Sequence, residues 1–239
     1  MKQAAYWVST DDQQVQCFLC PHECRIQPGK EGICGVRKNV EGVLYSGVYG
    51  KLSAITPDPV EKKPLYHFYP GTRLLSLGSF GCTMRCHFCQ NCEIAIQGGW
   101  NLDHMRTYTA EEVLAEARGP GISGLAYTYN EPLVFTEFML DIAVKARKAK
   151  LKNAMITNGY IHTRALPDIL ELMDAFNIDL KGFTESFYRK VTGAKLAPVI
   201  HAIRQVAKSG KHLEITHLIV PGLNDDQDIF REMVEWISN

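Results

Sequence analysis

The sequence has no excess of either charge and no long apolar segment, and both absences narrow the possible functions. Its 239 residues carry 26 Lys and Arg against 26 Asp and Glu. A balanced chain lacks the overall basic field that attracts nucleic acids or anionic membranes, so we expect neither as a partner. No apolar run reaches the roughly 18 residues of a transmembrane candidate, and the first residues lack the apolar centre of a signal peptide. We therefore expect a soluble, cytoplasmic protein.

Cysteine, by contrast, is abundant and clustered. Without a secretory signal, the eight cysteines are predicted to be metal ligands in a reducing compartment and not disulfide partners. Three of them fall in one short loop, just after the apolar run 74–80: Cys82, Cys86 and Cys89. Three thiolates can surround one iron–sulfur cluster and leave one iron open to an outside ligand, because such clusters normally take four cysteines. The alternative is a structural zinc loop that recruits Cys92 or His87.

This spacing, with Phe88 before the third cysteine, resembles the signature of the radical S-adenosylmethionine (SAM) enzymes. Together with the amino-terminal cysteines, it looks like the AmmeMemoRadiSam branch, which is close to the pyruvate formate-lyase activating enzymes. The resemblance implies a [4Fe–4S] cluster whose open iron binds SAM. It further implies reductive cleavage of SAM to methionine and a 5′-deoxyadenosyl radical, which abstracts a hydrogen atom from the substrate.

The resemblance also implies a partner protein. The expected target is a glycine in a glycyl-radical-type protein, and the expected electron donor is flavodoxin- or ferredoxin-like. Two alternatives remain: modification of a small molecule or peptide by the same radical, and a non-catalytic iron–sulfur or zinc binding module. In the enzymatic interpretations the cluster and SAM carry out the chemistry, and no protein side chain is expected to react itself.

A second group of cysteines lies near the amino terminus. Its members are Cys17, Cys20, Cys24 and Cys34. Four thiolates can close a structural zinc site or hold a second iron–sulfur cluster, and four thiols without metal are the third alternative. We predict that residues 1–70 form a Cys-rich metal-binding extension that ends in a proline-rich linker, and that this linker wraps over the domain formed by residues 71–239.

Residues 71–239 alternate between short apolar runs and longer amphipathic ones, which is typical of βαβ units and a parallel sheet. Strands are predicted at 74–80, 122–129, 152–157, 175–181 and 212–220. The predicted fold is therefore an α/β partial (β/α)6 barrel of the radical SAM type. Because the related enzymes continue with a sixth strand, we expect this chain to be truncated before it.

Polar residues stand at the carboxyl ends of these strands, where parallel α/β folds bind ligands. The resemblance implies that Asn130 and Glu131 occupy the turn that accepts hydrogen bonds from the SAM amino group. A helix cap with an exposed acid is the alternative. Thr157 and Asn158 could contact the ribose or methionyl part of SAM, or form a simple turn.

The last two predicted strands supply the remaining candidates. Asp179 and Lys181 point to one face of their strand; the resemblance implies that Lys181 meets the SAM carboxylate and Asp179 the methionyl region or a monovalent cation. A salt bridge at the barrel mouth is the alternative. Thr216 stands where the activating enzymes have an arginine, and Val220 belongs to a turn that resembles the adenine-flanking turn. Phe88, in the cysteine loop, is the ninth predicted cofactor contact.

Overall fold

The computed structural model describes residues 1–239 except Gln97, Gly99, Asn101 and Asp103. Its amino-terminal part contains six short strands: β1 (Lys2–Gln3), β2 (Trp7–Ser9), β3 (Val15–Cys17), β4 (Arg25–Ile26), β5 (Arg37–Val40) and β6 (Val43–Ser46). They form two antiparallel sheets, with strand orders β1-β6-β5 and β2-β3-β4. Strands this short have little stability alone, so this part depends on packing against the rest of the chain.

The main sheet has the strand order β12-β11-β10-β9-β8-β7. Its strands are β7 (Ala54–Pro59), β8 (Arg73–Gly78), β9 (Ile122–Tyr127), β10 (Lys152–Thr157), β11 (Ala175–Asp179) and β12 (His212–Thr216). Strands β8 to β12 are parallel, as predicted, and β7 pairs antiparallel with β8 at the edge. Within the described residues β7 and β12 are not paired with each other, so the sheet does not close into a barrel.

The described helices are α1 (Cys92–Ile96), α2 (Ala110–Glu116), α3 (Thr136–Lys148), α4 (Leu166–Leu172), α5 (Glu185–Phe187), α6 (Leu196–Lys208) and α7 (Gln227–Ser238). Thr109 caps α2 in a capping box with Glu112. Asp226 caps α7 by accepting hydrogen bonds from the next backbone amides. Short polar side chains therefore fix where these two helices begin.

The two faces of the main sheet are packed differently. Large apolar side chains on one face, such as Leu125 and Phe176, join the core shared with the helices. The other face carries several alanines beside Leu74, and the linker after β7 covers it with Val60, Leu65 and Phe68. The linker thus packs against one face of the sheet as part of the core, and the carboxyl ends of the strands face the cysteine loop.

The amino-terminal part is held to the helical layer by a buried ion pair. The guanidinium of Arg37 contacts the Glu137 carboxylate on α3, and the Ala5 amide donates to the same carboxylate at 2.8 Å. The two side chains are 1% and 6% exposed. Breaking one half of a buried pair leaves an uncompensated charge, so this contact fixes the position of the extension.

Candidate cofactor site

The loop that follows β8 brings its three cysteines to one cavity of about 230 Å³. Backbone hydrogen bonds shape the loop: the Gly81 amide donates to the Ile94 carbonyl at 2.8 Å, and the Arg85 amide donates to the Thr192 carbonyl at 2.8 Å. Gly81 has a φ of +83°, and a Cβ there would lie 2.6 Å from the Cys34 carbonyl oxygen. The sequence needs glycine here because both the backbone angle and the space exclude a side chain.

Six of the nine predicted cofactor contacts line this cavity together with the cysteines. They are Phe88, Asn130, Glu131, Asn158, Asp179 and Lys181. The other three lie outside the lining: Thr157, Thr216 and Val220. The Thr157 hydroxyl donates to Glu131 at 2.8 Å, and the Thr216 hydroxyl is bonded to Asn177. The Val220 amide donates to the side chain of Asn224, so these three residues support turns and neighbouring strands.

Asn130 connects the turn after β9 to the start of the cysteine loop. Its side-chain oxygen accepts from the Ser79 amide at 2.9 Å, and its amide donates to the Gly81 carbonyl at 2.9 Å. Both polar atoms of this side chain are used by the backbone on either side of Phe80. Asn130 therefore fixes the path of the loop that presents Cys82.

Glu131 is buried and bonded on both carboxylate oxygens. One oxygen accepts from the Leu133 amide at 3.0 Å and from Thr157, and the other accepts from the Asn158 amide at 2.9 Å. Burial raises the pKa of Glu131, although these hydrogen bonds act in the opposite direction. The carboxylate ties the ends of β9 and β10 together at the cavity wall.

Asn158 is in contact with the cysteine loop itself. Its amide donates to the Thr83 hydroxyl at 3.0 Å and stands 3.7 Å from the Cys82 sulfur. A donor next to a thiolate stabilises the negative charge on sulfur. Asn158 is therefore placed to influence the first cysteine of the loop.

Asp179 and Lys181 form an ion pair at the end of β11, beside the cysteines. Burial alone would lower the pKa of Lys181. The negative charges of Asp179 and of thiolates at Cys86 and Cys82 outweigh the effect of burial, so the pKa of Lys181 is raised. The second oxygen of Asp179 is buried and has no hydrogen-bond partner among the described residues. A buried acceptor of this kind favours a polar ligand in the cavity.

The thiols of the loop need a cation to become good ligands. Burial raises the pKa of Cys82 to about 12 and that of Cys86 to about 11. A bound metal deprotonates such thiols outright. Three thiols that line one cavity, a volume larger than one ion needs and the unpartnered oxygen of Asp179 together fit an iron–sulfur cluster with a polar cosubstrate.

Sequence reasoning missed the part of the site around Tyr129. Tyr129 lines the cavity at a φ of +71°, a backbone conformation that bulky residues rarely adopt. Its hydroxyl donates to Asp58 at 2.6 Å, and the ammonium of Lys63 lies 4.2 Å from the ring centroid. Asn91 donates to the Tyr129 carbonyl at 2.7 Å. The resemblance gives one signal for the backbone angle, since Tyr129 stands where the similar turn has a glycine. The partners of Tyr129 in the linker carry no local sequence signal.

Three other cavities differ from this one in their lining. The amino-terminal cysteines line a separate, small cavity next to Thr83. Two larger grooves, of about 500 and about 810 Å³, lie beside α7, and neither is lined by a cysteine or histidine among the described residues. Cys92, on α1, is exposed. The three-cysteine cavity is therefore the strongest candidate for the functional site.

Comparison with known proteins decides the family. Residues 77–237 match the model of the radical SAM superfamily. The chain belongs to this superfamily. It is 43% identical over 242 residues to an uncharacterized protein of Methanocaldococcus jannaschii, covering 100% of this chain and 71% of that protein. It is 28% identical over 167 residues to the pyruvate formate-lyase-activating enzyme of Clostridium pasteurianum, covering 66% of this chain and 67% of that enzyme.

The fold agrees with this assignment. The structure of SuiB from Streptococcus suis bound to S-adenosylmethionine matches at a TM-score of 0.50 and 15% identity, over 65% of this chain and 35% of that chain. The protein is thus a radical SAM enzyme, and membership of the superfamily implies a [4Fe–4S] cluster and SAM as cofactors. In the described part of the chain, no helix has both the length and the apolar character to cross a membrane.

Proposed function

We propose that this enzyme uses SAM, bound at a [4Fe–4S] cluster on Cys82, Cys86 and Cys89, to abstract a hydrogen atom from a glycine of a protein partner. The observation that carries the proposal is the single cavity shared by these cysteines and by Asp179 and Lys181. When bound and reduced by one electron, the cluster and SAM supply methionine and a 5′-deoxyadenosyl radical, which takes one hydrogen atom from the substrate to give 5′-deoxyadenosine and a substrate radical.

The protein's own residues orient the cosubstrate. Lys181 offers an ammonium to a carboxylate, and a lysine can serve as a compact point charge for it. Asp179 keeps one buried oxygen free to accept a hydrogen bond from an amino group or to contact a cation. Asn158 and Glu131 hold the turns that form the wall. The ring centroid of Phe88 lies 5.9 Å from the Lys181 ammonium, so the ring face contacts the same positive charge.

A protein substrate is supported by two observations. The chain is similar to pyruvate formate-lyase-activating enzymes, whose name denotes action on another protein. The cavity is also accessible from one side, since Leu218 in its lining is 53% exposed. A flavodoxin- or ferredoxin-like protein would supply the electron. In this proposal residues 71–239 form the catalytic domain, and β7 and the linker after it complete its sheet and core. The metal-binding extension is the part of residues 1–70 that precedes β7.

The test uses the anaerobically reconstituted full chain. With SAM and a chemical reductant we expect 5′-deoxyadenosine and methionine in equal amounts, because one SAM gives one of each. Cys86→Ala should abolish both products, whereas Cys92→Ser, an exposed cysteine outside the cavity, should leave them unchanged. Absence of both products from the cluster-loaded wild type would contradict radical SAM catalysis by this chain and would favour a binding module.

The partner is tested separately. A candidate protein with a glycyl-radical-type glycine is incubated with enzyme, SAM and reductant, and the radical is detected by electron paramagnetic resonance. A glycyl radical that requires SAM and disappears when that glycine is changed to alanine supports the proposal. The contrary result is stoichiometric 5′-deoxyadenosine with a modified small molecule or peptide and no protein radical. It would overturn the proposed protein substrate and leave reductive cleavage of SAM supported.

A further inference from the structure

We propose that Cys17, Cys20, Cys24 and Cys34 bind one thiophilic divalent ion of the zinc type in a closed, structural site. All four sulfur-bearing side chains line one cavity in the amino-terminal part, although they come from three separate segments of it. The site is separate from the three-cysteine cavity, and it does not depend on the proposed substrate.

The size of the cavity favours a single ion. Its volume is about 10 Å³, which is close to that of one water-sized sphere. An iron–sulfur cube contains eight core atoms and would have to push the walls apart, whereas a single ion requires only rotation of the thiol side chains. The three-cysteine cavity, by contrast, has about 230 Å³. Comparing the two cavities therefore assigns the cube to the loop after β8 and a single ion to the amino-terminal site.

The lining of the cavity is that of a structural site. Leu19 and Ile26, two apolar residues of the wall, are 2% exposed each. Four protein ligands leave no open coordination position, which is typical of structural zinc. In the part of the chain that the structure describes, no three Cys, His, Asp or Glu side chains yet stand where they would hold one ion, so binding requires the thiol rotamers to move inward.

A buried cation stands next to this site. The Arg37 guanidinium donates to the Cys17 sulfur at 3.7 Å, and its Nε is buried without a partner among the described residues. Four thiolates around a divalent ion carry excess negative charge, and a guanidinium that donates to one of the sulfurs stabilises part of that charge locally. Glu137 on α3 binds the same guanidinium, so the ion pair links the site to the main domain.

The site also supports the cysteine loop. His22, between Cys20 and Cys24, is bonded through Nε2 to the Thr83 carbonyl at 2.8 Å. The Cys34 carbonyl oxygen packs against Gly81, and Arg85 donates to the Ile33 carbonyl. Ordering the four amino-terminal ligands therefore orders the surface on which the loop with Cys82 rests.

The test is a metal count on the intact protein. We expect about one zinc ion and about four iron atoms per chain after anaerobic cluster reconstitution. The double variant Cys20→Ser/Cys24→Ser should lose the zinc, Cys86→Ala should lose the iron and keep the zinc, and Cys92→Ser should keep both. Cobalt(II) in place of zinc should give the absorption of a tetrahedral thiolate site, which only the double variant should lack.

Two results would overturn the proposal. About eight iron atoms per wild-type chain, with no zinc, would assign a second iron–sulfur cluster to these cysteines. Amino-terminal thiols that react freely with an alkylating reagent in wild-type protein supplied with zinc would show that no ion binds there. Both results come from the wild type, so they remain decisive even where the double variant does not fold.

Discussion

The two groups of cysteines differ in what surrounds them. The loop after β8 offers three thiols to a cavity of about 230 Å³ lined by a carboxylate, an ammonium and amides. The amino-terminal group offers four thiols to a cavity of about 10 Å³, whose wall combines buried apolar side chains with the guanidinium of Arg37. The number of ligands, the space and the neighbouring polar groups together distinguish a site built for a reacting ligand from a site built for stability.

The largest expected effect is the loss of cluster iron when one cysteine of the loop after β8 is replaced. Cys86→Ala should remove nearly all cluster iron, because two cysteines cannot hold a cluster that normally takes at least three protein ligands. Iron and sulfide content after reconstitution measure this. Cys92→Ser is the matched control and should retain the wild-type iron content. Equal iron in both variants would mean that Cys86 is not a ligand.

The contact between the two groups can be broken at Gly81. Gly81→Ala should destabilise the protein by about 3 kcal/mol or more, since the new Cβ meets the Cys34 carbonyl oxygen at a positive φ. Gly71→Ala is the control, because Gly71 has a φ of +79° and nothing within 4 Å of its Cβ position. It should cost about 1 kcal/mol, or roughly 2–4 °C in Tm. Equal Tm values would show that the two groups are not tightly packed.

Substitution of Lys181 tests the role of the polar lining of the three-cysteine cavity. Lys181→Ala should weaken SAM binding to cluster-loaded protein by about 10- to 100-fold, the usual value of one charged hydrogen bond. Iron content should stay unchanged, because Lys181 is not a ligand. Lys181→Arg should recover part of the affinity, and Lys148→Ala on the exposed face of α3 should have no effect. If calorimetry shows unchanged SAM affinity in Lys181→Ala, Lys181 does not contact SAM.

The smallest effect concerns Tyr129. Tyr129→Phe keeps the ring over Lys63 but loses the hydroxyl that donates to Asp58, so Tm should fall by roughly 2–4 °C, equivalent to about 1 kcal/mol. Although burial acts to raise it, the pKa of Asp58 is held low by Lys62, Lys63 and Tyr129. Tyr66→Phe, whose side chain is 58% exposed, is the control. A Tyr129→Phe protein as stable as this control would show that the hydroxyl is dispensable.

The parallel strands could be predicted from sequence because each is a short apolar run between amphipathic helices. Strand β7 could not, since Pro57 and Pro59 indicate a linker, although an edge strand tolerates prolines. Asp179 and Lys181 could be predicted as a pair because they stand two residues apart at the end of a predicted strand. Thr157, Thr216 and Val220 were also predicted as cofactor contacts, and none of the three belongs to the cavity lining.

The left-handed Tyr129 and the two-sided bonding of Asn130 depend on tertiary contacts with segments that are distant in sequence. Such contacts leave no local pattern, so sequence could identify the turn but not its role. The same holds for the buried pair of Arg37 and Glu137, which are 100 residues apart.

The most direct test of the account is electron paramagnetic resonance of the anaerobically reconstituted, reduced protein with and without SAM. We predict one cluster signal that shifts when SAM is added and that disappears in Cys86→Ala, as the proposal that SAM binds the iron left open by the three cysteines requires. A signal that persists in Cys86→Ala would place a cluster on the amino-terminal cysteines. A wild-type signal that does not respond to SAM would contradict the central claim that the three-cysteine cavity holds SAM at its cluster.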